Sequence, residues 1–248
     1  MEMLNFNKYK ILSCNYDSAV SLIVKALYDK SKHVFIHLNN YNYTVLENKS
    51  TKLQDNFPYT LFFEGIAFKA AVYCATGKNL ADINGTDLFP LLAKELSDKQ
   101  LSVYFLGSDA LYIEDAVNNI KKDYPKLIIT GFHHGFFDIN ESEKLIDEIN
   151  NSKADLLIIG MGMDKEFDFL VQHFPKIQTK AVWNVGGLFD FLSGKYIRAP
   201  LIMRKMRLEW LFRFMISPVY RFKRIFLAPI RLAIDTIKYR KSIKIEKI

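Results

Sequence analysis

The stretch DLLIIGMG, residues 155–162, decides the fold class of this chain. Its apolar core lies between an acid and a glycine-containing turn, which is the pattern of a strand buried on both faces of a parallel sheet. Runs of the same character are HVFIHL (33–38), YTLFF (59–63), LSVYFLG (101–107), KLIIT (126–130) and KAVWNVG (180–186). Most of them end near Gly, Asn or an acid. The sequence therefore predicts a mainly parallel sheet.

Between these runs, apolar residues recur every three or four positions, which predicts amphipathic crossover helices. The helical patterns are IAFKAAVYCAT (66–76), DLFPLLAKELSDK (87–99), ALYIEDAVNNIKKDY (110–124) and NESEKLIDEINNS (140–152). Strands that alternate with helices define an α/β fold class, a Rossmann-like layered domain. Such folds bind ligands beyond the carboxyl ends of the strands, so the loops after residues 38, 63, 106, 160 and 186 are the expected site.

Charge divides the chain into two parts. All arginines lie between Arg198 and Arg240; residues 195–248 hold 15 basic and 3 acidic side chains, whereas residues 1–194 hold 19 basic and 24 acidic ones. An acidic body with a strongly basic end indicates a polyanionic surface as partner. We therefore predict an α/β domain over 1–194 that carries the site, and a helical membrane-associating appendage over 195–248.

Two helices are predicted in the basic part, over 201–216 and 218–240, with a break at Ser217-Pro218. The second helix would carry on one face Val219, Phe222, Phe226, Ile230 and Ala233, and on another Arg221, Arg224, Arg231 and Lys238. A basic amphipathic helix suits the interface plane of an anionic membrane. The alternative is that this part packs on its own domain or on a second subunit, which leaves a homo-oligomer open.

Cysteine usage and hydropathy restrict the cellular location. Cys14 and Cys74 have neither metal-ligand spacing nor a disulfide framework, which indicates a reducing compartment. The start, MEMLNFNKYKIL, lacks the pattern of a signal peptide, and no run reaches the ~18 uncharged apolar residues that span a bilayer. The expected location is cytoplasmic, peripheral on the inner face of the cell membrane.

Several motifs resemble the WecG/TagA/CpsF family of bacterial glycosyltransferases. The most specific is NVGGLFDFLSGKYIRAP (184–200) followed by LEWLFRFMISPVYRFKR (208–224), which is similar to the family's Gly-Gly-x-Phe-Asp, Gly-x-x-x-Arg-Ala-Pro and Glu-Trp-x-x-Arg series. Weaker matches are HLNNYN (37–42), FEGIAF (63–68), NGTDL (84–88), FLG (105–107) and GMGMDKEF (160–167). The resemblance extends over nearly the whole chain.

The resemblance implies an inverting transferase that needs neither a metal nor a cofactor. Members of the family move an N-acetylmannosamine-type sugar, or its uronic acid, from UDP to a GlcNAc-containing polyprenyl diphosphate. The implied partners are a UDP-sugar donor, this glycolipid acceptor and an anionic membrane surface, with no nucleic acid. The charge division of the chain, which does not depend on the resemblance, indicates the same surface.

Inversion at an anomeric carbon needs a base for the acceptor hydroxyl and groups that hold the departing diphosphate. Glu64 stands where the family has its catalytic Asp and is the expected base; the alternative is an acid at a helix N-terminus. His37 replaces a family Thr and is either a second acid/base group or a hydrogen-bonded structural residue. Glu166, at the position of a family Gln, completes the catalytic candidates.

The substrate-binding candidates come from the same motifs and from the strand ends. Asn39 would contact donor or acceptor, and Asp87 either lies by the sugar or caps its helix. The remaining candidates are Gly65, Gly85, Gly107, Gly160, Gly162, Gly187, Asp190 and Arg198. A turn requirement explains each glycine equally well. The resemblance assigns Arg213, Arg221 and Arg224 to the lipid diphosphate.

A metal site and two rival functions are the alternatives to this interpretation. Asp164, Glu166 and Asp168 raise a metal hypothesis, but a helix first turn rich in acids explains them more simply, and no metal is predicted. A nucleotide-binding oxidoreductase would have the same alternation of elements, yet no Gly-x-Gly-x-x-Gly opens the first strand-helix unit. A non-enzymatic basic-tailed protein that binds membrane or nucleic acid is the other rival.

Overall fold

The computed structural model of the protein describes residues 1–29, 32–50, 57–206 and 208–248. Its strands are β1 (Glu2–Phe6), β2 (Tyr9–Ser13), β3 (His33–Leu38), β4 (Tyr59–Phe63), β5 (Ser102–Gly107), β6 (Ile128–His133), β7 (Leu156–Gly160), β8 (Ala181–Asn184) and β9 (Lys244–Lys247). They form one sheet in the order β6-β5-β7-β8-β3-β4-β2-β1-β9. Pairing is parallel from β6 through β2, while β1 pairs antiparallel with both β2 and β9. The predicted α/β class and mainly parallel sheet are confirmed.

The helices are α1 (Tyr16–Tyr28), α2 (Asn40–Lys49), α3 (Ile66–Thr76), α4 (Gly85–Asp98), α5 (Ala110–Asp123), α6 (Ser142–Asn151), α7 (Met163–His173), α8 (Leu188–Leu192), α9 (Leu201–Lys205), α10 (Glu209–Ile216), α11 (Pro218–Phe222) and α12 (Ala228–Tyr239). A π-helical turn, Lys223–Leu227, joins α11 to α12. The four predicted crossover helices are present as α3, α4, α5 and α6. The predicted helix over 201–216 is instead two short helices, α9 and α10, whereas the second helix starts at Pro218 as expected.

Helices cover both faces of the sheet. Along β7, Leu157 and Ile159 pack into one apolar cluster while Leu156 and Ile158 pack into the other. The first cluster takes side chains from α2, α3, α6, α7 and α12, and the second from α1, α4, α5 and α8. Because β7 is buried on both sides, its sequence is an uninterrupted apolar run, which is why the parallel strands could be recognised from the sequence.

The sequence did not predict that both ends of the chain belong to the sheet. The hairpin of β1 and β2 extends the sheet beyond β4, and β9 then pairs with β1. Helix α12 lies against α2 and α3, with Leu232 and Asp235 buried. The Asp235 carboxylate accepts a hydrogen bond from Tyr43 Oη at 3.0 Å and pairs with Arg231 Nε at 2.8 Å. The division at residue 194 stays a prediction, and the structure adds that α12 and β9 complete the main core.

Candidate active site

The carboxyl ends of β5 and β7 form a topological switch point. Strand β5 continues through α5 to β6 on one side, whereas β7 continues through α7 to β8 on the other, and α5 and α7 cover opposite faces. Ligands of open α/β sheets bind at such a point. The end of β4 lies three strand spacings from that of β7, about 14 Å along the same edge.

Glu64 follows β4 directly and keeps 21% of its side chain exposed. Asn39 Nδ2 donates to Glu64 Oε2 at 3.4 Å, and the next residue, Gly65, adopts a φ of 95° that favours glycine. Burial raises the pKa of the Glu64 carboxyl to about 7, although Asn39 and the Arg213 guanidinium act to lower it. A partly exposed carboxylate with a pKa near neutrality is suited to accept a proton.

His37 lies beneath Glu64 in the interior, 3% exposed. Its Nε2 accepts a hydrogen bond from Trp183 Nε1 at 3.1 Å, which leaves the proton of the neutral ring on Nδ1, 4.0 Å from Glu64 Oε2. Burial lowers the pKa of His37 to about 4, so the ring is neutral at physiological pH. Gly85 packs against this ring, where an added Cβ would lie 3.4 Å from Nε2. This geometry favours a positioning role for His37 over acid/base chemistry.

Asn39 has two functions in the structure. Its Oδ1 caps α2 by accepting the backbone N–H groups of Tyr41 and Asn42, while its Nδ2 holds Glu64. Helix α4 is capped by Asn84 and not by Asp87, the residue considered for that role from the sequence. Asp87 instead accepts Arg198 Nη1 at 2.9 Å.

A chain of ion pairs connects the appendage, residues 195–248, to the start of α4. Arg198 lies 3.7 Å from Glu209 as well as contacting Asp87, and Glu209 pairs with Arg213 on the next turn of α10. The Arg213 guanidinium also lies over the Phe191 ring at 4.5 Å. The predicted residues Asp87, Arg198 and Arg213 therefore belong to one network whose far end influences the pKa of Glu64.

Glu166 is fully surrounded by protein, 1% exposed. Its carboxylate accepts the backbone N–H groups of Met161 at 2.6 Å and Gly162 at 2.8 Å, and also the Asn184 side-chain amide. Burial raises the pKa of Glu166 to about 8. The carboxylate thus occupies the N–H groups of Met161 and Gly162 just before α7, which favours a structural role for this predicted catalytic residue.

The predicted strand-end glycines fall into two groups. A Cβ on Gly107 would lie 2.4 Å from Gly160 O, and one on Gly160 would lie 2.8 Å from Gly186 O, so close packing of neighbouring strand ends requires both. Gly162 and Gly187 have open space where a Cβ would be. Asp190 bridges β5 and α8 because it accepts Ser108 Oγ at 2.9 Å. It also lies 3.6 Å from Lys195 Nζ.

The other two predicted lipid-binding arginines occupy different places. Arg221 lines a small pocket with Arg213, Phe191, Tyr196, Ile197 and Ile216. The Arg224 guanidinium lies 4.2 Å from the centroid of the Tyr41 ring and is close enough to Glu166 to lower the pKa of that carboxyl. Arg224 therefore lies near the β3 and β7 ends, and Arg213 lies near the β4 end.

The acids of the metal hypothesis do not converge. Asp164 and Asp168 both pair with Lys49, at 3.5 and 2.7 Å, while Glu166 points into the interior. Over residues 1–29, 32–50, 57–206 and 208–248, no group of three or more His, Cys, Asp or Glu side chains is placed to hold a metal ion.

The loop after β6, residues 134–138, reaches the same edge and was missed because the strand was predicted to end at residue 130. Lys165 Nζ donates to Gly135 O at 2.7 Å and lies 4.4 Å from the Phe137 ring centroid. Phe136 is 69% exposed. A glycine between aromatic residues in HHGFF was the available signal, since it indicates a close backbone approach, and Gly135 indeed packs against Met161.

Fold and site together describe an α/β domain with a partly exposed carboxylate at the sheet edge beside a cationic helical segment. The model of the family described as "Glycosyl transferase WecG/TagA/CpsF family" matches residues 4–245 of this chain. The chain belongs to the WecG/TagA/CpsF family and is a glycosyltransferase.

Three relatives of this chain share the same name. The chain is similar to the N-acetylglucosaminyldiphosphoundecaprenol N-acetyl-beta-D-mannosaminyltransferase of Bacillus spizizenii strain W23, with 25% identity over 233 residues, 92% of this chain and 89% of the relative. Proteins of the same name from Staphylococcus aureus strains NCTC 8325 and MRSA252 are 29% and 30% identical over 135 residues, 54% of this chain and 52% of each relative.

Proposed function

We propose that this glycosyltransferase moves an N-acetylmannosamine-type sugar, or its uronic acid, from UDP to a polyprenyl-diphosphate-linked GlcNAc acceptor with inversion of the anomeric carbon. The observation that carries the proposal is the similarity to the Bacillus spizizenii enzyme over 89% of its length, since that name specifies the sugar and the acceptor. The sheet edge supports it independently, because a carboxylate suited to accept a proton lies on the same edge as a nucleotide-type switch point.

The donor would extend along this edge. Its nucleotide would lie at the β5 and β7 ends, where the exposed Phe136 ring offers a stacking surface, and its sugar would reach toward Glu64. Because Glu166 occupies the N–H groups of Met161 and Gly162 just before α7, these two groups do not serve the diphosphate, and cationic side chains are the alternative. Arg213 and Arg224, which border the same edge, are the groups we assign to it.

The proposed reaction is a single displacement. Glu64 takes the proton of the acceptor hydroxyl, the hydroxyl oxygen forms a bond to the anomeric carbon, and the bond from that carbon to the β-phosphate oxygen breaks. The electron pair of the broken bond leaves with UDP, whose negative charge the arginines stabilise. Asn39 donates to the carboxylate, and the His37 ring lies beneath it. No step in this sequence needs a metal ion.

A panel of donors tests the proposal. Purified protein is incubated with a synthetic polyprenyl diphosphate GlcNAc and with UDP-ManNAc, UDP-ManNAc uronic acid, UDP-GlcNAc or UDP-glucose, each with and without EDTA. We expect transfer from one of the two mannosamine donors, an inverted linkage by NMR, and the same rate with EDTA. Transfer from the glucose-type donors alone would refute the assigned sugar, and loss of activity in EDTA that Mg²⁺ restores would refute the metal-free step.

We further propose that residues 195–248 hold the protein on an anionic membrane. The apolar face predicted for the second helix is exposed, with Val219 at 92%, Phe222 at 50% and Ile230 at 57%. No helix within the described part of the chain has both the length and the apolarity to cross a bilayer. Exposed apolar side chains among arginines match the pattern of interfacial helices, which lie in the headgroup region.

Vesicle sedimentation checks this surface. The protein should bind phosphatidylglycerol vesicles, bind phosphatidylcholine vesicles much less, and lose affinity as salt rises. Val219→Glu places a charge in the acyl region and should weaken binding on the order of tenfold. Tyr28→Glu is the matched control, because Tyr28 is 64% exposed on α1, outside residues 195–248. Equal binding by Val219→Glu and the parent would contradict the proposal.

A further inference from the structure

Helix α3 has an exposed face without any charged residue. Ile66, Ala70, Tyr73 and Cys74 are exposed and lie on the side opposite the buried Phe68 and Val72. The single charged residue of the helix, Lys69, lies to one side and pairs with Asp82 at 3.2 Å. By contrast, the exposed positions of α6 are Glu143, Lys144, Asp147, Glu148 and Asn151, four of them charged, as is usual for a surface helix.

The uncharged face continues onto α12. Helix α12 packs against α3, and its outward residues Ile234 and Ile237 are 56% and 78% exposed. Both helices contribute to the same apolar cluster, so their outer faces are neighbours on one side of the molecule. Basic side chains, Lys78 and Lys238, lie exposed at the ends of these two helices. Apolar outer faces on two packed helices, with cationic side chains at the helix ends, are complementary to an anionic bilayer.

We propose that the outer face of α3 is a second membrane-contact element, which enters the headgroup region of an anionic bilayer together with α12. This inference rests on the membrane association proposed above and specifies its orientation. Tyr73 supplies an aromatic ring with a polar end, the side chain favoured at membrane interfaces. Because α3 begins two residues after Glu64, this orientation keeps Glu64 close to the membrane surface.

The natural cysteines provide a direct test. Cys74 is exposed on α3, whereas Cys14 is buried and burial raises the pKa of its thiol to about 11, so a maleimide fluorophore at neutral pH should label Cys74 alone. On phosphatidylglycerol vesicles we expect a blue shift of the label and loss of its emission when the acyl chains are brominated. The control is Cys74→Ser combined with Tyr28→Cys, whose label on the opposite helix layer should show neither effect.

A substitution gives an independent readout. Tyr73→Glu should weaken vesicle binding on the order of tenfold, because burial of an aromatic ring is replaced by a charge at the anionic surface. Tyr28→Glu, at a tyrosine that is 64% exposed on α1, should bind as the parent does.

The possible results separate this inference from the proposed membrane association of residues 195–248, on which it rests. Binding by the parent combined with a silent Cys74 label and normal binding by Tyr73→Glu would overturn the α3 contact and leave the appendage as the membrane element. No vesicle binding by the parent would overturn both. A blue shift that depends on protein concentration without vesicles would show that a second copy of the chain covers α3, which would also overturn the inference.

Discussion

Glu64→Gln is expected to lower kcat about 10²- to 10⁴-fold, the usual contribution of a positioned general base, while binding of the UDP-sugar is retained. Glutamine has nearly the same shape and its carbonyl oxygen still accepts from Asn39, but it cannot take a proton. Turnover is measured with the lipid acceptor, and donor binding is measured separately by calorimetry. An unchanged kcat would remove Glu64 from the role of base.

The pH dependence provides a second signature. Only the ionised carboxyl accepts a proton, and burial raises the pKa of Glu64 to about 7, so kcat/KM should rise through pH 7 and level off above it. The effect of pH on stability has the opposite sign. Protonated Glu64 stabilises the fold fully below the pKa that this carboxyl has in the unfolded chain. That stabilisation is lost as pH rises through about 7, the pKa in the folded protein. Glu64→Gln should therefore have a Tm at pH 8 no lower than the parent, which excludes misfolding as the cause of inactivity.

Glu64→Asp is the matched control for these experiments. It keeps a carboxylate and restores the residue that the resemblance places at this position. We expect faster turnover from the aspartate variant than from the glutamine variant. If both variants were equally inactive, the result would indicate that the length of the side chain matters and would leave its proton transfer unsupported.

Leu232→Ala is expected to lower the free energy of unfolding by about 2–5 kcal/mol. Leu232 is 1% exposed and packs from α12 into the cluster that holds α2, α3 and β1. Truncation to alanine removes buried methyl groups and leaves a cavity beside Asp235, whose contacts with Tyr43 and Arg231 fix the helix. Urea unfolding followed by fluorescence and circular dichroism measures the change.

Ile234→Ala separates the two faces of the same helix. Ile234 lies two residues further on and is 56% exposed, so this variant should stay within about 0.5 kcal/mol of the parent in stability. Its vesicle binding should nevertheless decrease, whereas Leu232→Ala should bind vesicles normally under conditions in which it is folded. A Leu232 variant as stable as the parent would show that α12 is a separable appendage, as the division at residue 194 had predicted.

The parallel part of the sheet was predictable because its strands are buried on both faces and form apolar runs such as LLII at 156–159. The strand β9, KIEK, carries three charged residues in four, and it is a strand only because β1 pairs with it. A pairing between residues 5 and 244 is set by the tertiary fold and leaves no local pattern. The same reason explains why the hairpin of β1 and β2 was missed.

For the candidate site, the sequence predicted which residues lie together better than it predicted what each residue contacts. The order of strands brings Glu64, Asn39 and His37 together, as the motifs had implied. The sequence could not show that Trp183 fixes the His37 ring, since those residues are far apart in the chain. Nor could it show that Glu166 turns back onto the N–H groups of Met161 and Gly162, which depends on the local backbone path.

The attachment of α12 to the core has a consequence for binding kinetics. Many surface-seeking helices are unstructured in water and lose conformational entropy when they meet their target. Here α12 is already ordered by Leu232, Asp235 and the pairing of β9. The loss of conformational entropy therefore occurs when the protein folds. A partner that meets its outer face encounters a preorganised surface, and association is not slowed by coupled folding.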